Sequence, residues 1–290
     1  MLELLLNLAA VGLTVGSLYA LIAVSFALIF NVTHVFHLAH GATFTLGAYL
    51  IYLFAAMLGL PFLVAVGVSL LFSALFGVAI ELGLYRPLRR AAAPPTILFL
   101  ASVGILIVVE GLLGLVFGTQ ALSFEALPFQ PVVLGSVTLT TANVGMLASW
   151  PLIAAVLVYL GRSHDGRFLR AVGDSEPVAG SLGIPLDRVF LLSFALGSGL
   201  AVPAALLYGW YQGLVPVMGL NGILIGSAAV IIGGRHGLLP GALVALVIGT
   251  VQAVLVAFIP AGWQDGVIFS LLLAALLVRP EGIFGYALRW

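Results

Sequence analysis

The sequence predicts an all-α membrane protein, a polytopic transmembrane helical bundle of about eight or nine spans in one domain, residues 1–290. Two observations support this fold class. Of the 290 residues, 63% are hydrophobic and only 7% are charged, whereas soluble domains carry about 25% charged residues. Apolar runs of about 20 residues recur, and a helix of that length crosses the roughly 30 Å hydrocarbon core of a bilayer. The strict alternation of a membrane β-barrel is missing from the sequence.

Turn residues divide the apolar sequence into spans. Pro61, Pro240 and Pro260 stand between apolar runs, where proline interrupts a helix. The stretch around 31–41 is more polar than its neighbours, and we expect a broken or re-entrant element there. The predicted spans are 8–30, 41–58, 60–84, 96–117, 142–160, 188–210, 214–234, 239–259 and 266–279.

Arginine placement predicts the orientation. All ten basic residues are arginine, and with these spans they fall on one side of the membrane. Cytoplasmic loops are enriched in basic residues, so we expect this side and the C-terminus to be cytoplasmic. The longest external connection, 118–141, alternates valine and threonine near 132–140. That pattern predicts a short hairpin or cap, which either contacts an external partner or only covers the bundle.

Composition argues against several classes of function. Net charge is zero, whereas nucleic-acid binding needs a clustered basic surface. Cysteine is absent, which removes thiol chemistry and disulfides. A nucleotide-binding P-loop needs a lysine, and the chain has none. We therefore expect neither an enzyme nor a cofactor-binding protein.

Three of the five histidines, His34, His37 and His40, lie at intervals of three between the first two spans. Imidazoles on one helix face could bind zinc or copper, but no Cys, Asp or Glu lies nearby to complete a metal site. Alternatively, the irregular backbone lines a substrate path, since lipid tolerates such backbone only inside protein or around a cavity. An ordinary turn at the membrane interface is the third interpretation.

Two carboxylates and two glycines in the apolar spans are also informative. Glu110 lies well inside a span, where a carboxylate normally faces the bundle interior or a partner. Glu81 is expected to pair with a nearby arginine. Gly12 and Gly16 have the spacing that lets two helices approach closely. The residues assigned to a substrate path are Asn31, His37, His40, Gly41, Thr43 and Glu110.

The longest cytoplasmic connection, 162–188, has the pattern of a short surface helix between two spans. Asp174 or Ser175 can cap its start, and Glu176 complements the positive end of the helix. Gly183 can end the helix in the left-handed conformation. Such a helix either fits a groove on a soluble partner or is part of a solvated loop that closes the bundle.

Six stretches in the same order resemble the branched-chain amino acid permeases of the LivH type, over nearly the whole chain. They are "GLTVGSLYALIAVSFALIF" at 12–30, "HLAHGATFTLGAYL" at 37–50, "ELGLYRPLRR" at 81–90, "RAVGDSEPVAGSLGIPLDRVFLLSFALGSGLA" at 170–201, "AAVIIGGRHGLLPGAL" at 228–243 and "LLVRPEGIFG" at 276–285.

The resemblance implies the permease subunit of an ATP-driven (ABC) importer for branched-chain or related hydrophobic amino acids, in the bacterial inner membrane. Members of this family assemble with a second homologous permease, two cytoplasmic ATPase subunits and a periplasmic substrate-binding protein. The connection 162–188 then corresponds to the coupling loop. Contact with the ATPase is thereby implied for Asp174, Glu176, Ala179 and Gly183.

Two other functions are compatible with the residues. The same architecture could carry urea or short amides. A self-sufficient secondary transporter or channel would need an intramembrane titratable relay, for which Glu110 is a single candidate.

Overall fold

The computed structural model describes residues 2–234, 237–260, 263–278 and 282–284. Over these ranges the chain forms thirteen α-helices and one two-stranded antiparallel sheet. Arg235, Arg279 and Arg289, which contribute to the predicted orientation, lie outside the described residues.

The helices and strands follow one another with short connections. They are α1 (Leu2–Thr33), α2 (Ala39–Tyr52), α3 (Phe62–Ile80), α4 (Arg86–Arg90), α5 (Pro95–Phe117), β1 (Pro131–Leu134), β2 (Val137–Thr140), α6 (Thr141–Leu147), α7 (Ser149–Arg162), α8 (His164–Asp174), α9 (Glu176–Ser181), α10 (Leu186–Gln212), α11 (Met218–Gly233), α12 (Leu238–Leu255) and α13 (Gln264–Val278). A π-helical turn, Leu53–Met57, extends α2, and another, Glu81–Tyr85, joins α3 to α4.

Seven helical stretches in the described part of the chain are long and apolar enough to cross a membrane, which confirms the polytopic helical bundle. They are Glu3–Thr33, Ala39–Met57, Phe62–Arg90, Pro95–Phe117, Thr141–Arg162, Leu186–Gln212 and Leu238–Leu255. The predicted spans 214–234 and 266–279 are occupied by the shorter α11 and α13, of 16 and 15 residues.

The central helix of the bundle is α1, and α12 packs along it at very short range. A methyl group added to Gly12 would lie 2.7 Å from Thr250 Cα, and one added to Gly16 would lie 2.5 Å from the Leu246 carbonyl oxygen. Both distances are too short for a β-carbon, so only glycine fits. The prediction that Gly12 and Gly16 permit close helix approach is confirmed.

The break between the first two spans is present but narrower than predicted. The helix α1 continues through Asn31 to Thr33, which leaves residues 34–38 non-helical. The α2 residue His40 contacts Ser25, which lies about 12 Å of helix before the end of α1. The chain therefore turns back into the bundle before α2 begins.

The start of α11 also lies within the bundle, beside the start of α2. Gly219 packs against Gly41 so closely that a methyl group on Gly219 would overlap the Gly41 carbonyl oxygen and Thr45 Oγ1. The non-helical residues 213–217 precede this contact. Two helices thus begin at adjoining points inside the protein.

The predicted hairpin near 132–140 is confirmed by β1 and β2, in which Val132 faces Leu139 across the sheet. The end of β2, Thr140, caps α6 by accepting from the Asn143 N–H. The Asn143 side-chain amide donates to Thr14 of α1 at 2.8 Å. This pairing attaches the sheet to the N-terminal part of α1. We call this end of the bundle the hairpin end, and the end that carries residues 163–185 the loop end.

Candidate functional site

The break between α1 and α2 carries two fully buried histidines, His37 and His40, with ring centroids 6.1 Å apart. The Nδ1 atom of His37 lies 2.7 Å from the Tyr85 hydroxyl, and its ring packs edge-on against Phe194 at 5.1 Å. The backbone N–H of Leu38 donates to Ser102 Oγ at 3.2 Å. Side chains from α5, α10 and the π turn after α3 thus hold this non-helical segment in place.

Hydrogen bonding around Ser25 determines the tautomer of His40. The Ser25 hydroxyl donates its proton to the Ile22 carbonyl at 2.8 Å, so it can only accept from His40 Nε2, 3.1 Å away. His40 Nδ1 is then an acceptor. Both His40 Nδ1 and His37 Nε2 are buried without a hydrogen-bond partner among the described residues. Buried polar atoms of this kind are uncommon and are often functional.

Of the six residues assigned to a substrate path, four lie in or beside this break. His37, His40, Gly41 and Thr43 are buried in one continuous stretch, and Thr43 Oγ1 donates to the Ala39 carbonyl at 3.2 Å. Asn31 lies in the last turns of α1, nearer the loop end. Neither polar atom of its buried side chain has a hydrogen-bond partner in the described ranges.

Glu110, the sixth of these residues, lies on the face of α5 that also carries the buried Leu106 and Leu113. The Leu106 side chain reaches the start of α2, where a methyl group on Gly41 would lie 3.3 Å from it. The Glu110 side chain is partly buried, and its Oε1 atom has no hydrogen-bond partner in the part of the chain that the structure describes. Glu110 therefore belongs to the inward side of α5, as the sequence predicted.

Attachment of α8 to the end of α1 involves His34. Its backbone φ is +53°, a left-handed conformation that residues with a β-carbon rarely adopt and that is often found at functional sites. The His34 ring Nε2 donates to the Gly173 carbonyl at 2.9 Å. Gly173 also packs on Asn31, since an added methyl group would lie 2.5 Å from the Asn31 carbonyl oxygen.

The connection 162–188 forms two helices, α8 and α9, whereas one was predicted. Ser163 caps α8 by accepting from the Gly166 N–H at 3.0 Å. Ser175 is the residue before α9, but its side chain makes no capping hydrogen bond. Gly183, at φ +80°, ends α9: its N–H donates to Gly180, and the N–H of Ile184 donates to Ala179. These two bonds form a Schellman motif and confirm the left-handed cap.

One side of α9 is exposed at the loop end. Ala179 is 2% exposed and packs α9 onto the rest of the chain, whereas Val178 and Leu182 are 57% and 74% exposed. Glu176 and Gly183 are also exposed. A small helix with uncovered apolar side chains, fixed to the bundle on its other side, has the shape of a docking element.

Ion pairs hold the neighbouring end of α10 against α4. Glu81, which is almost fully buried, accepts from Arg89, so the predicted pairing of Glu81 is confirmed. Arg86 and Arg90 both contact Asp187 at the start of α10. These contacts make the base of α10 a rigid support beside α9.

Several residues of this region were not singled out by their sequence context, namely Ser25, Tyr85, Gly173 and Gly219. Each one acts through a partner far away in the chain, and no local pattern marks such a pairing. The three histidines do not converge, because His34 reaches toward α8. No group of three His, Asp or Glu side chains suitable for a metal ion occurs within the described residues.

Comparison with known proteins agrees with the earlier resemblance. The family described as branched-chain amino acid transport system, permease component, matches residues 8–276. The high-affinity branched-chain amino acid transport system permease protein LivH of Escherichia coli is 30% identical, over 94% of this chain and 93% of the relative. LivH of Salmonella typhimurium is 29% identical over the same shares. The corresponding permease protein BraD of Pseudomonas aeruginosa is 31% identical over 94% of both chains.

Proposed function

Because the chain belongs to the branched-chain amino acid transport permease family, we propose that it is the membrane subunit of an ATP-driven importer for branched-chain or related hydrophobic amino acids. In this role it assembles with a second homologous permease and two cytoplasmic ATPase subunits, and it receives substrate from a periplasmic binding protein. The chain is a multi-pass membrane protein. We place it in the bacterial inner membrane, with the loop end and the C-terminus in the cytoplasm.

The observation that carries this proposal is the geometry of α8 and α9. The exposed face of α9 offers Glu176, Val178 and Leu182 to a soluble partner, while α8 is bound to the end of α1 through His34 and Gly173. A movement of the partner is therefore applied directly to the central helix. The assigned ATPase contacts Asp174, Glu176 and Gly183 lie along this connection, and Ala179 anchors it.

Substrate movement is proposed to involve the break between α1 and α2. The break follows directly after the end of α1, so a shift of α1 changes the position of His37 and His40. Their unpartnered ring nitrogens, with Asn31, Gly41, Thr43 and Glu110, are proposed to become accessible to substrate when the bundle opens to either side. The ATPases supply the energy, and the permease supplies the path.

Affinity purification of the tagged chain from its native membranes in mild detergent tests this proposal. We expect two ATPase subunits and a second permease to co-purify. A double variant, Glu176→Ala with Gly183→Val, should retain the second permease and lose the ATPases, because only the α9 surface is changed. Recovery of the chain alone, or as a homo-oligomer without ATPase, would contradict the importer function.

The link between α8 and α1 gives a second expectation. His34→Ala removes the hydrogen bond to Gly173 and keeps a β-carbon in the left-handed conformation, whereas His34→Gly removes both the bond and the strain. If the bond transmits movement, both variants should transport about threefold to tenfold less substrate per ATP hydrolysed, the equivalent of one hydrogen bond. The measurement is uptake and ATP hydrolysis together, in proteoliposomes that contain the complete complex.

His34→Asn is the rescue variant, because asparagine tolerates the left-handed conformation and keeps a side-chain N–H. It should recover part of the lost coupling. Unchanged uptake per ATP in His34→Gly would show that the contact only stabilises the fold.

A further inference from the structure

A cavity of about 290 Å³ lies at the hairpin end of the bundle, between α1, α10 and α12. It is separate from the break between α1 and α2, and nothing above assigns a role to it. Its volume corresponds to about ten water molecules at roughly 30 Å³ each. Val256 is 50% exposed at the end of α12, and the neighbouring Gln212 of α10 is exposed as well. The cavity therefore opens toward the surface.

The short length of α11 explains why this space exists. The first turns of α11 reach α1 at Ile22, where a methyl group on Gly222 would lie 3.7 Å from the side chain. The next turn of α1 toward the hairpin end carries Tyr19, which lines the cavity. Because α11 begins only at this depth, the volume above it between α10 and α12 is not filled by a helix.

The cavity wall combines hydrogen-bonding and aliphatic groups. The Tyr19 hydroxyl donates to Gln252 Oε1 at 3.0 Å. No hydrogen bond joins the Tyr211 hydroxyl or the Gln212 amide to another residue that the structure describes. The remaining wall is made of aliphatic side chains and one glycine: Leu8, Val11, Val15, Gly249, Ala253 and Val256.

This wall fits a small solute better than lipid tails. Two glutamine amides and two phenols facing hydrocarbon would leave polar groups unsatisfied at a cost of several kcal/mol by general estimates. The lining residues contain no charged side chain, so a solute with a net charge would find no counter-ion there. The complementary solute has no net charge, a polar part and an aliphatic part.

We propose that this cavity is a binding site for a net-neutral amphipathic solute of the aliphatic amino acid class, held by Tyr211, Gln212 and Gln252 against the valines of α1. Its identification with the transported substrate rests on the proposed function. The site then receives the solute at the hairpin end, before it reaches the break between α1 and α2.

Photo-labelling of the purified full chain in lipid nanodiscs tests the site without any need for ATP. The probe is L-leucine with a diazirine in its side chain, and labelled peptides are mapped by mass spectrometry. We expect the label on residues 8–19 or 249–256, with protection by excess leucine. Val256→Trp, which obstructs the mouth, should abolish this label, whereas Val247→Trp should keep it, because Val247 is 60% exposed on the same helix and does not line the cavity.

Tyr211→Phe is the variant that spares the fold, since its hydroxyl has no partner to lose among the described residues. It should raise the leucine concentration for half-protection about threefold to tenfold, as expected for one lost hydrogen bond. Label elsewhere, or equal labelling in Val256→Trp, overturns the proposal. Label in the cavity without ATP-driven leucine uptake by the complete complex would keep the site and overturn the proposed function; uptake with no label in the cavity would do the reverse.

Discussion

Gly183→Val is expected to abolish ATP-driven uptake while the chain remains folded in the membrane. Gly183 ends α9 at φ +80° and is exposed, with no atom of the described residues within 4 Å of an added β-carbon. A β-branched residue there costs about 1–2 kcal/mol of local strain and disrupts the Schellman motif that sets the direction of α9. The docking surface around Val178 and Leu182 is thereby displaced. Uptake and ATP hydrolysis should be measured together in reconstituted complex.

Gly59→Val is the matched control for this prediction. Gly59 is also exposed, at φ +66° and without neighbours within 4 Å among the described residues, but it joins α2 to α3 away from the loop end. The backbone strain is therefore comparable, and only the location differs. Gly59→Val should retain most of the uptake. Equal loss in both variants would falsify the coupling role, because strain alone would then explain the result.

Gly219→Ala is expected to produce the largest loss of stability among conservative changes in the membrane spans. The added methyl group would overlap the Gly41 carbonyl oxygen and Thr45 Oγ1, and neither can rotate away without moving α2. Overpacking of this kind costs about 1–3 kcal/mol. The starts of α2 and α11 must separate, which also displaces the neighbouring His40. The temperature at which half of the detergent-solubilised protein remains monodisperse should fall clearly.

Gly111→Ala on α5 provides the comparison. No described atom lies within 4 Å of a β-carbon added there, and alanine is the better helix former by about 1 kcal/mol. This variant should be as stable as the unmodified chain or slightly more stable. If Gly219→Ala unfolds at the same temperature as Gly111→Ala, the two helix starts are not in the close contact described.

Features that depend on neighbouring residues were predictable from the sequence. The span predicted at 96–117 corresponds to α5, Pro95–Phe117, because an apolar run of membrane length is a local property. The hairpin near 132–140 and the left-handed end of the helix at Gly183 were likewise predicted, since alternation and glycine placement act over a few residues. The pairing of Glu81 with Arg89 was predictable because both lie in one short stretch.

The residues assigned to the substrate path were found as polar anomalies in an apolar chain, but their surroundings were not predictable. His37 meets Tyr85 and Phe194, and His40 meets Ser25. In a membrane protein, lipid-facing and buried surfaces of a helix are both apolar, so hydrophobic periodicity does not reveal which side faces inward. The inward side of each helix therefore had to come from the packed structure.

The sequence by itself determined that this chain is a helical membrane protein of the permease class, where its long spans lie, and which loop bears the short helix. These conclusions follow from composition, run length and motif order, which are properties of the linear chain. Only the tertiary structure decided that α2 and α11 begin side by side within the bundle, that Gly173 binds the strained end of α1, and that a short α11 leaves a polar-lined cavity. Those features depend on backbone approach between segments far apart in sequence, and helix packing alone sets such distances.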